Sequence, residues 1–145
     1  MHDLNVAGAF ALGHYTHEKN PVTARAALAT LEVIEREGLV ENAARIGAHA
    51  LERLHELKRR HAIVGDVRGR GLLLGIELVE RRDSKAPAGA AAERVLYRCL
   101  TRGLSFKTTM GNVLTLTPPL TVTRAQMDEA LAIIDASLRE EGSAG

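Results

Sequence analysis

The stretch HYTHEKNP at residues 14–21 gathers residue types that often bind metals or cofactors. His14 and His17 stand three positions apart, and Glu18 follows directly. A zinc-binding helix of the HExxH type instead places its histidines four positions apart around the glutamate. No other His or Cys recurs at ligand spacing. We therefore predict no metal site and interpret these side chains as solvated loop residues.

The glycine-rich segment GRGLLLG at residues 69–75 is a second candidate, for phosphate binding. A dinucleotide-binding loop needs a strand before it and a helix after it, because the helix N-terminus receives the pyrophosphate. Here the glycines lead into an apolar strand, and the third glycine comes one residue late. The sequence predicts a tight turn at 69–71. Arg68 and Arg70 are expected to be solvated or ion-paired, with a ligand role as the alternative.

The remaining reactive residue types have structural explanations, except for one lysine. Cys99 lies on the apolar face of a predicted helix and is expected in the core. Lys107 lies in the predicted strand LSFKT, where alternation turns it away from Phe106. It could meet an anionic ligand, although a solvated edge-strand lysine has the same pattern. Three further histidines are expected at the surface: His49, His55 and His61.

Length and composition indicate one soluble domain. The 145 residues carry a net charge of +1, which gives no reason to expect a nucleic-acid or membrane surface. A single cysteine excludes an internal disulfide and fits a reducing compartment. No apolar run approaches the length of a membrane span. We expect a cytoplasmic protein.

Apolar periodicity predicts the order helix, helix, strand, strand, helix, strand, strand, helix. Asn20 and Pro21 form a helix start, and Gly38 supplies the stop. Thr123 and Gln126 form a capping box for the last helix. The predicted buried faces of the later helices are Ala43, Ile46, Ala50, Leu54 and Leu57; Ala92, Val95, Leu96, Cys99 and Leu100; and Met127, Ala130, Leu131, Ile134 and Leu138.

These elements predict an α+β fold, with helices on one face of a small, mainly antiparallel sheet. The first helix does not fit a closed domain, because it follows an irregular arm and carries a surface of small alanines. Such a surface suits close packing against a larger body.

Three blocks of sequence resemble the C-terminal third of the class III aminotransferases, the pyridoxal-phosphate enzymes that include 4-aminobutyrate and ornithine aminotransferases. They are THEKNPVTARAALATLEVIEREGLVENAARIGAHALERL, IVGDVRGRGLLLGIELV and GLSFKTTMGNVLTLTPPLTVT. The resemblance implies the small C-terminal domain of a fold-type-I enzyme. It assigns residues 1–19 to an arm from the large domain, 20–38 to an interdomain helix, 39–140 to the small domain and 141–145 to a frayed tail.

The resemblance also implies two site residues. The family has a Thr, four residues and a Pro, as in Thr16 to Pro21, and this Thr binds the cofactor phosphate across the dimer interface. The family often has Gly three residues after the Thr, where this chain has Lys19. Some members hold the substrate's distal acid with an arginine at the position of Lys107, and others at that of Thr115. Lys107 is therefore expected to be a weaker anion contact, and Thr115 only a sheet residue.

The family's Schiff-base lysine lies upstream of the Thr and is not in these 145 residues. The resemblance therefore implies a C-terminal fragment of a homodimeric aminotransferase that moves an amino group from an amine or amino acid to a 2-oxo acid and is inactive alone. Two alternatives remain. One is a fragment of a pyridoxal-phosphate-dependent ammonia-lyase of the same family, acting on an amino-phosphonate. The other is a non-catalytic domain that docks on a full-length homologue.

Overall fold

The computed structural model describes residues 20–143. The chain divides between Gly38 and Leu39 into two units, which we describe separately. In the first, α1 spans Pro21–Arg36 and begins as predicted: the Asn20 side chain accepts a hydrogen bond from the Val22 backbone N–H at 2.9 Å, and proline occupies the first turn. None of the α1 side chains is buried.

The second unit contains the remaining seven elements in the predicted order. They are α2 (Leu39–Arg60), β1 (Val64–Arg70), β2 (Leu73–Leu78), α3 (Gly89–Thr101), β3 (Lys107–Thr109), β4 (Val113–Leu116) and α4 (Arg124–Ser143). The capping box of α4 is confirmed. The Thr123 backbone N–H donates to Gln126 Oε1 at 2.9 Å, and the Gln126 N–H donates to Thr123 Oγ1 at 3.3 Å.

The four strands form one antiparallel sheet in the order β1-β2-β4-β3. Gly71, with φ of +55°, allows the β1–β2 hairpin to turn where the sequence predicted it. Met110 and Gly111 also have positive φ and form the turn of the β3–β4 hairpin. The short β3 is an outer strand, so Lys107 lies at the sheet edge.

Alternate strand residues face a single apolar core, as the predicted fold class requires. In β2, Leu74, Ile76 and Leu78 are buried, whereas Leu73, Gly75 and Glu77 are not. Helices α2 and α3 pack on the buried face, and α4 packs against both helices. We call the side of the sheet opposite α2 and α3 the open face. The fold is that of a small α+β domain with helices on one side.

Helix α2 meets the β1–β2 hairpin at an unusually close backbone contact. A Cβ atom added to Gly47 would lie 2.1 Å from the carbonyl oxygen of Gly71. Gly47 is buried in the middle of α2, where glycine lowers helix stability relative to alanine. Gly47 therefore lowers the intrinsic stability of α2 but allows the helix to pack more closely on the hairpin.

Two of the three histidines expected at the surface are partly buried and paired with acids on α4, so that prediction is wrong for them. The imidazole of His49 lies 2.6 Å from Asp128, and that of His61 lies 2.6 Å from Asp135. Their side chains are 15% and 11% exposed. His55 is exposed, as expected.

Helix ends and faces differ from the sequence prediction at two places. Leu100 was expected on the buried face of α3 but is 51% exposed. Helix α4 continues to Ser143, so it includes residues 141–143 of the predicted tail. The reason is Glu141, which is buried and accepts hydrogen bonds from Arg94 and Arg98 of α3. Residues 144 and 145 of the predicted tail lie outside the described residues.

Candidate functional site

Most of the first candidate stretch cannot be placed in this structure. Thr16, the predicted phosphate ligand, lies outside the described residues, together with His14, His17, Glu18 and Lys19. Within residues 20–143, no group of three or more His, Cys, Asp or Glu side chains is arranged to hold a metal ion.

Lys107, the predicted substrate contact, is the first residue of β3 and is exposed. Phe106 beside it packs against the core, so the predicted alternation is confirmed. No carboxylate within the described part of the chain comes within ion-pair distance of the Lys107 amine. Among residues 20–143 its charge is therefore unpaired, which suits either solvation or an anionic ligand.

The strand register aligns Lys107 with three other residues across the whole sheet. Arg68 of β1 pairs with Gly75 of β2, Gly75 pairs with Thr115 of β4, and Thr115 pairs with Lys107. Side chains in such a row point to the same side of a sheet, here the open face. The two positions at which the resemblance expected an acid-binding arginine, Lys107 and Thr115, are thus cross-strand neighbours.

A depression of about 480 Å³ lies on the open face over part of this row. We call it the Gly75 depression, because Gly75 leaves its floor without a side chain. Its polar lining comes from Arg68, Arg70, Thr109 and Thr115, and Leu73, Met110 and Val113 form its apolar part. The Thr109 and Thr115 hydroxyl oxygens lie 2.8 Å apart and share a hydrogen bond.

The two arginines of the depression differ in their local charge balance. Arg68 donates to Asp66 at 3.1 Å and to Glu77 at 2.6 Å, and these acids hold the pKa of its guanidinium above the ordinary value. Partial burial alone would raise the pKa of Asp66, but hydrogen bonds from Arg68 and Lys58 hold it below its usual value. Arg70 is exposed and has no acidic partner among residues 20–143.

The one thiol is not available for nucleophilic chemistry. Cys99 is completely buried, as predicted, and its Sγ lies 3.3 Å from the Ser137 hydroxyl. Burial raises the pKa of the Cys99 thiol, with a smaller opposing effect from the Ser137 hydrogen bond. The reactive thiolate form is therefore disfavoured.

The described residues do not by themselves form a site that fits pyridoxal phosphate. Thr16, the side chain expected to contact its phosphate, lies outside the described residues, and Lys107, expected to contact the substrate, stands exposed on an outer strand. No reaction step is therefore assigned to residues 20–143. None of the helices in this range has the length and apolar composition of a membrane span.

The sequence singled out three side chains of the row but did not group them. Arg68, Lys107 and Thr115 were each considered, yet they lie on strands far apart in the chain. The alternation of residues 66–70 and 105–109 could have assigned their faces. That alternation does not predict the non-sequential strand order, which brings β4 beside β2.

Comparison with known proteins agrees with the fold. The family model for class-III aminotransferases matches residues 2–138. The chain is 46% identical over 134 residues to the (R)-1-hydroxy-2-aminoethylphosphonate ammonia-lyase of Vibrio splendidus, covering 92% of this chain and 28% of that protein. It is also 46% identical over 121 residues to the isoleucine 2-epimerase of Lentilactobacillus buchneri, covering 83% of this chain and 27% of that protein.

A solved structure shows the same likeness in three dimensions. The PLP-bound amine transaminase from an uncultivated Pseudomonas species superposes with a TM-score of 0.82 at 34% sequence identity. The match covers 90% of this chain and 30% of the transaminase. The 145 residues thus span less than a third of the length of each of these proteins.

Proposed function

Because this chain belongs to the class-III aminotransferase family, we propose that it supplies one wall of the active site of a pyridoxal-phosphate-dependent enzyme. The observation that carries the proposal is the family match over residues 2–138, nearly the whole chain. The likeness to a PLP-bound transaminase supports the same cofactor. The lysine that holds the cofactor covalently is proposed to lie outside these 145 residues, so the chain alone is inactive.

Two residues have proposed roles in the complete enzyme. Thr16 contacts the cofactor phosphate through its hydroxyl, across the interface of a homodimer. Lys107 contacts the acid group of the substrate, and its exposed amine, which has no carboxylate partner among residues 20–143, supports this role. Residues 1–19 are assigned to an arm of the large domain, 20–38 to an interdomain helix and 39–140 to the small domain. The complete enzyme acts on small amines and oxo acids in the cytoplasm.

Amino-group transfer from an amine or amino acid to a 2-oxo acid is the leading reaction. A second candidate is ammonia elimination from an amino-phosphonate, which the 46% identity to an ammonia-lyase for (R)-1-hydroxy-2-aminoethylphosphonate favours. The complete protein distinguishes the two. Ammonia release without an oxo acid indicates the lyase, whereas transfer of the amino group to pyruvate or 2-oxoglutarate indicates the aminotransferase.

The proposed cofactor contact is tested in a chimera that carries this chain in place of the matching segment of the Vibrio splendidus ammonia-lyase. Thr16→Ala is expected to weaken pyridoxal-phosphate binding about tenfold, because a hydrogen bond to a charged phosphate is lost. Thr16→Ser keeps the hydroxyl and should bind normally. The measurement is a cofactor titration of the apo-chimera.

Thr30→Ala is the matched control, since among the described residues the Thr30 hydroxyl donates to the Ala26 carbonyl within α1. It should leave cofactor binding unchanged. Equal binding by the Thr16→Ala and parent chimeras would disprove the phosphate contact. A chimera that folds like the parent enzyme but binds no cofactor would contradict the proposed function itself.

A further inference from the structure

A pocket of about 400 Å³ lies between residues 103–106 ahead of β3, residues 116–122 at and after the end of β4, and the first two turns of α4. We call it the Phe106 pocket. We propose that it binds a small, uncharged aromatic molecule that carries one hydrogen-bond acceptor. Phe106 lines this pocket and Lys107 does not, because alternation turns their side chains to opposite sides. The inference therefore does not depend on the role proposed for Lys107.

The lining of the Phe106 pocket is apolar. Leu104 and Phe106 contribute to one side, Pro118 and Pro119 to another, and Met127 of α4 to a third. No charged side chain from the described part of the chain lines it. An ion that entered would lose its hydration without gaining a partner of opposite charge, so the lining favours an uncharged ligand. Aromatic rings pack well against another ring and against a thioether, which favours an aromatic one.

The volume of the pocket suits a ligand with a single ring. Sites for small molecules typically measure about 300–1,000 Å³, and an apolar cavity of about 150 Å³ already holds benzene. Water among apolar side chains makes few hydrogen bonds, so its displacement by a ring is favourable. The Phe106 pocket therefore has room for one ring and a polar substituent.

Hydrogen bonds hold one wall of the pocket in place without a ligand. The Asn42 amide of α2 donates to the carbonyl oxygens of Leu120 at 2.7 Å and Val122 at 3.1 Å. The Val122 backbone N–H donates to the Pro119 carbonyl oxygen at 3.0 Å. Pro118 and Pro119 have a φ that is fixed by their rings. The segment after β4 is thus ordered before binding, so little affinity is lost in ordering it.

Gln126 supplies the donor for a polar substituent. Its Oε1 accepts from the Thr123 backbone N–H at 2.9 Å and from the Thr123 hydroxyl at 3.0 Å, which fixes the orientation of the amide. The two hydrogens on its Nε2 have no acceptor among the described residues. Gln126 lines the pocket. A hydroxyl or carbonyl oxygen on the bound ring can therefore accept from it.

The test uses the 145-residue chain with ¹³C-labelled methionine methyl groups, and benzyl alcohol is the probe. The chain has three methionines, Met1, Met110 and Met127. Met127 lines the Phe106 pocket, whereas Met110 lines the Gly75 depression and is 90% exposed. We expect millimolar benzyl alcohol to shift the Met127 signal saturably and to leave the Met110 signal in place. The Met127 signal is the one that disappears in Met127→Leu.

Ala130→Leu tests the location, because Ala130 of α4 lines the pocket and a larger side chain there would fill it. It should weaken benzyl alcohol binding at least about tenfold. Ala125→Leu is the matched control, since Ala125 is an exposed residue of the same helix outside the pocket. This variant should bind as well as the parent chain does. Circular dichroism of both variants checks that they fold.

Benzoate tests the class of ligand, because it has the same ring but carries a negative charge. It should leave the Met127 signal in place at concentrations at which benzyl alcohol saturates the shift. The proposal is overturned if benzyl alcohol does not shift the Met127 signal, or shifts the Met110 signal equally. Equal binding by Ala130→Leu and the parent chain would also overturn it. Benzoate binding as tight as that of benzyl alcohol would contradict the uncharged ligand.

Discussion

Cys99 shows how a single buried residue can be tested without ambiguity, because it is the only cysteine in the chain. Its thiol is completely buried and contacts Ser137, and burial raises its pKa. The thiolate attacks the sulfur of a disulfide reagent, so both effects slow the reaction. We expect dithionitrobenzoate to label the native chain at least about a hundredfold more slowly than the urea-unfolded chain. Comparable rates would show that the α3–α4 contact opens readily.

The Gly75 depression raises a related question at the residue scale, because two arginines two positions apart have different environments. Arg68 is held by Asp66 and Glu77, while Arg70 has no acidic partner in the described range. The sequence predicted solvation or ion pairing for both, with a ligand role as the alternative. The geometry confirms ion pairing for Arg68 and leaves Arg70 exposed, because Asp66 and Glu77 lie beside only the first arginine.

At the scale of elements, the close contact of α2 with the β1–β2 hairpin should reverse the usual effect on stability of replacing a helical glycine by alanine. Replacing glycine by alanine inside a helix normally stabilises by about 0.5–1 kcal/mol. At Gly47 the new methyl group would lie 2.1 Å from the Gly71 carbonyl oxygen, which is backbone and cannot rotate away. We expect Gly47→Ala to lower the free energy of unfolding by about 1–3 kcal/mol. Urea unfolding followed by circular dichroism measures the change.

Gly142→Ala is the control for this prediction, since Gly142 is also helical but an added Cβ has no atom within 4 Å. This substitution should be neutral or raise the free energy of unfolding by a few tenths of a kcal/mol. The same glycine-to-alanine change should thus have effects of opposite sign on the free energy of unfolding in α2 and in α4. If Gly47→Ala were also stabilising, α2 would have to lie further from the hairpin than in this structure.

The elements themselves were largely predictable, whereas contacts between them were not. Asn20, Gly71 and the Thr123–Gln126 box act over three or four residues, so local sequence was enough to place the helix start, the turn and the cap. His49 and His61 were misassigned because their partners lie more than 70 residues away on α4. Apolar periodicity assigns a helix face to the core, but it does not reveal which polar side chains meet at its edge.

On the scale of the whole molecule, acidic side chains on α4 connect the three helices of the second unit. Asp128 contacts His49 on α2, Asp135 contacts His61 directly after α2, and Glu141 accepts from Arg94 and Arg98 on α3. Hydrogen bonding by His49 lowers the pKa of Asp128. Arg94 has the same effect on the pKa of Glu141. All these carboxylates favour the folded state only while they are ionised.

Asp135 offers the sharpest test of this acid dependence, because its side chain is only 15% exposed and accepts from Arg60 at 2.7 Å and His61 at 2.6 Å. Burial alone would raise its pKa, but these partners hold it below its ordinary value. A lowered folded-state pKa means that the stabilisation is complete above the unfolded-state pKa of about 3.9. It is then lost as the pH falls through the lower folded-state value.

We therefore expect Asp135→Asn to lower the free energy of unfolding by about 1–2 kcal/mol at pH 7. The difference from the parent chain should shrink below about pH 4, because there the parent carboxyl becomes neutral as well. Urea unfolding at pH 7, 5 and 3 measures this. Glu129→Gln, which replaces an exposed residue on the same helix, should change the free energy of unfolding only slightly at every pH. The contradicting result is that Asp135→Asn lowers the free energy of unfolding by as much at pH 3 as at pH 7. That result would mean that Asp135 acts through packing and that its charge does not hold α2 against α4.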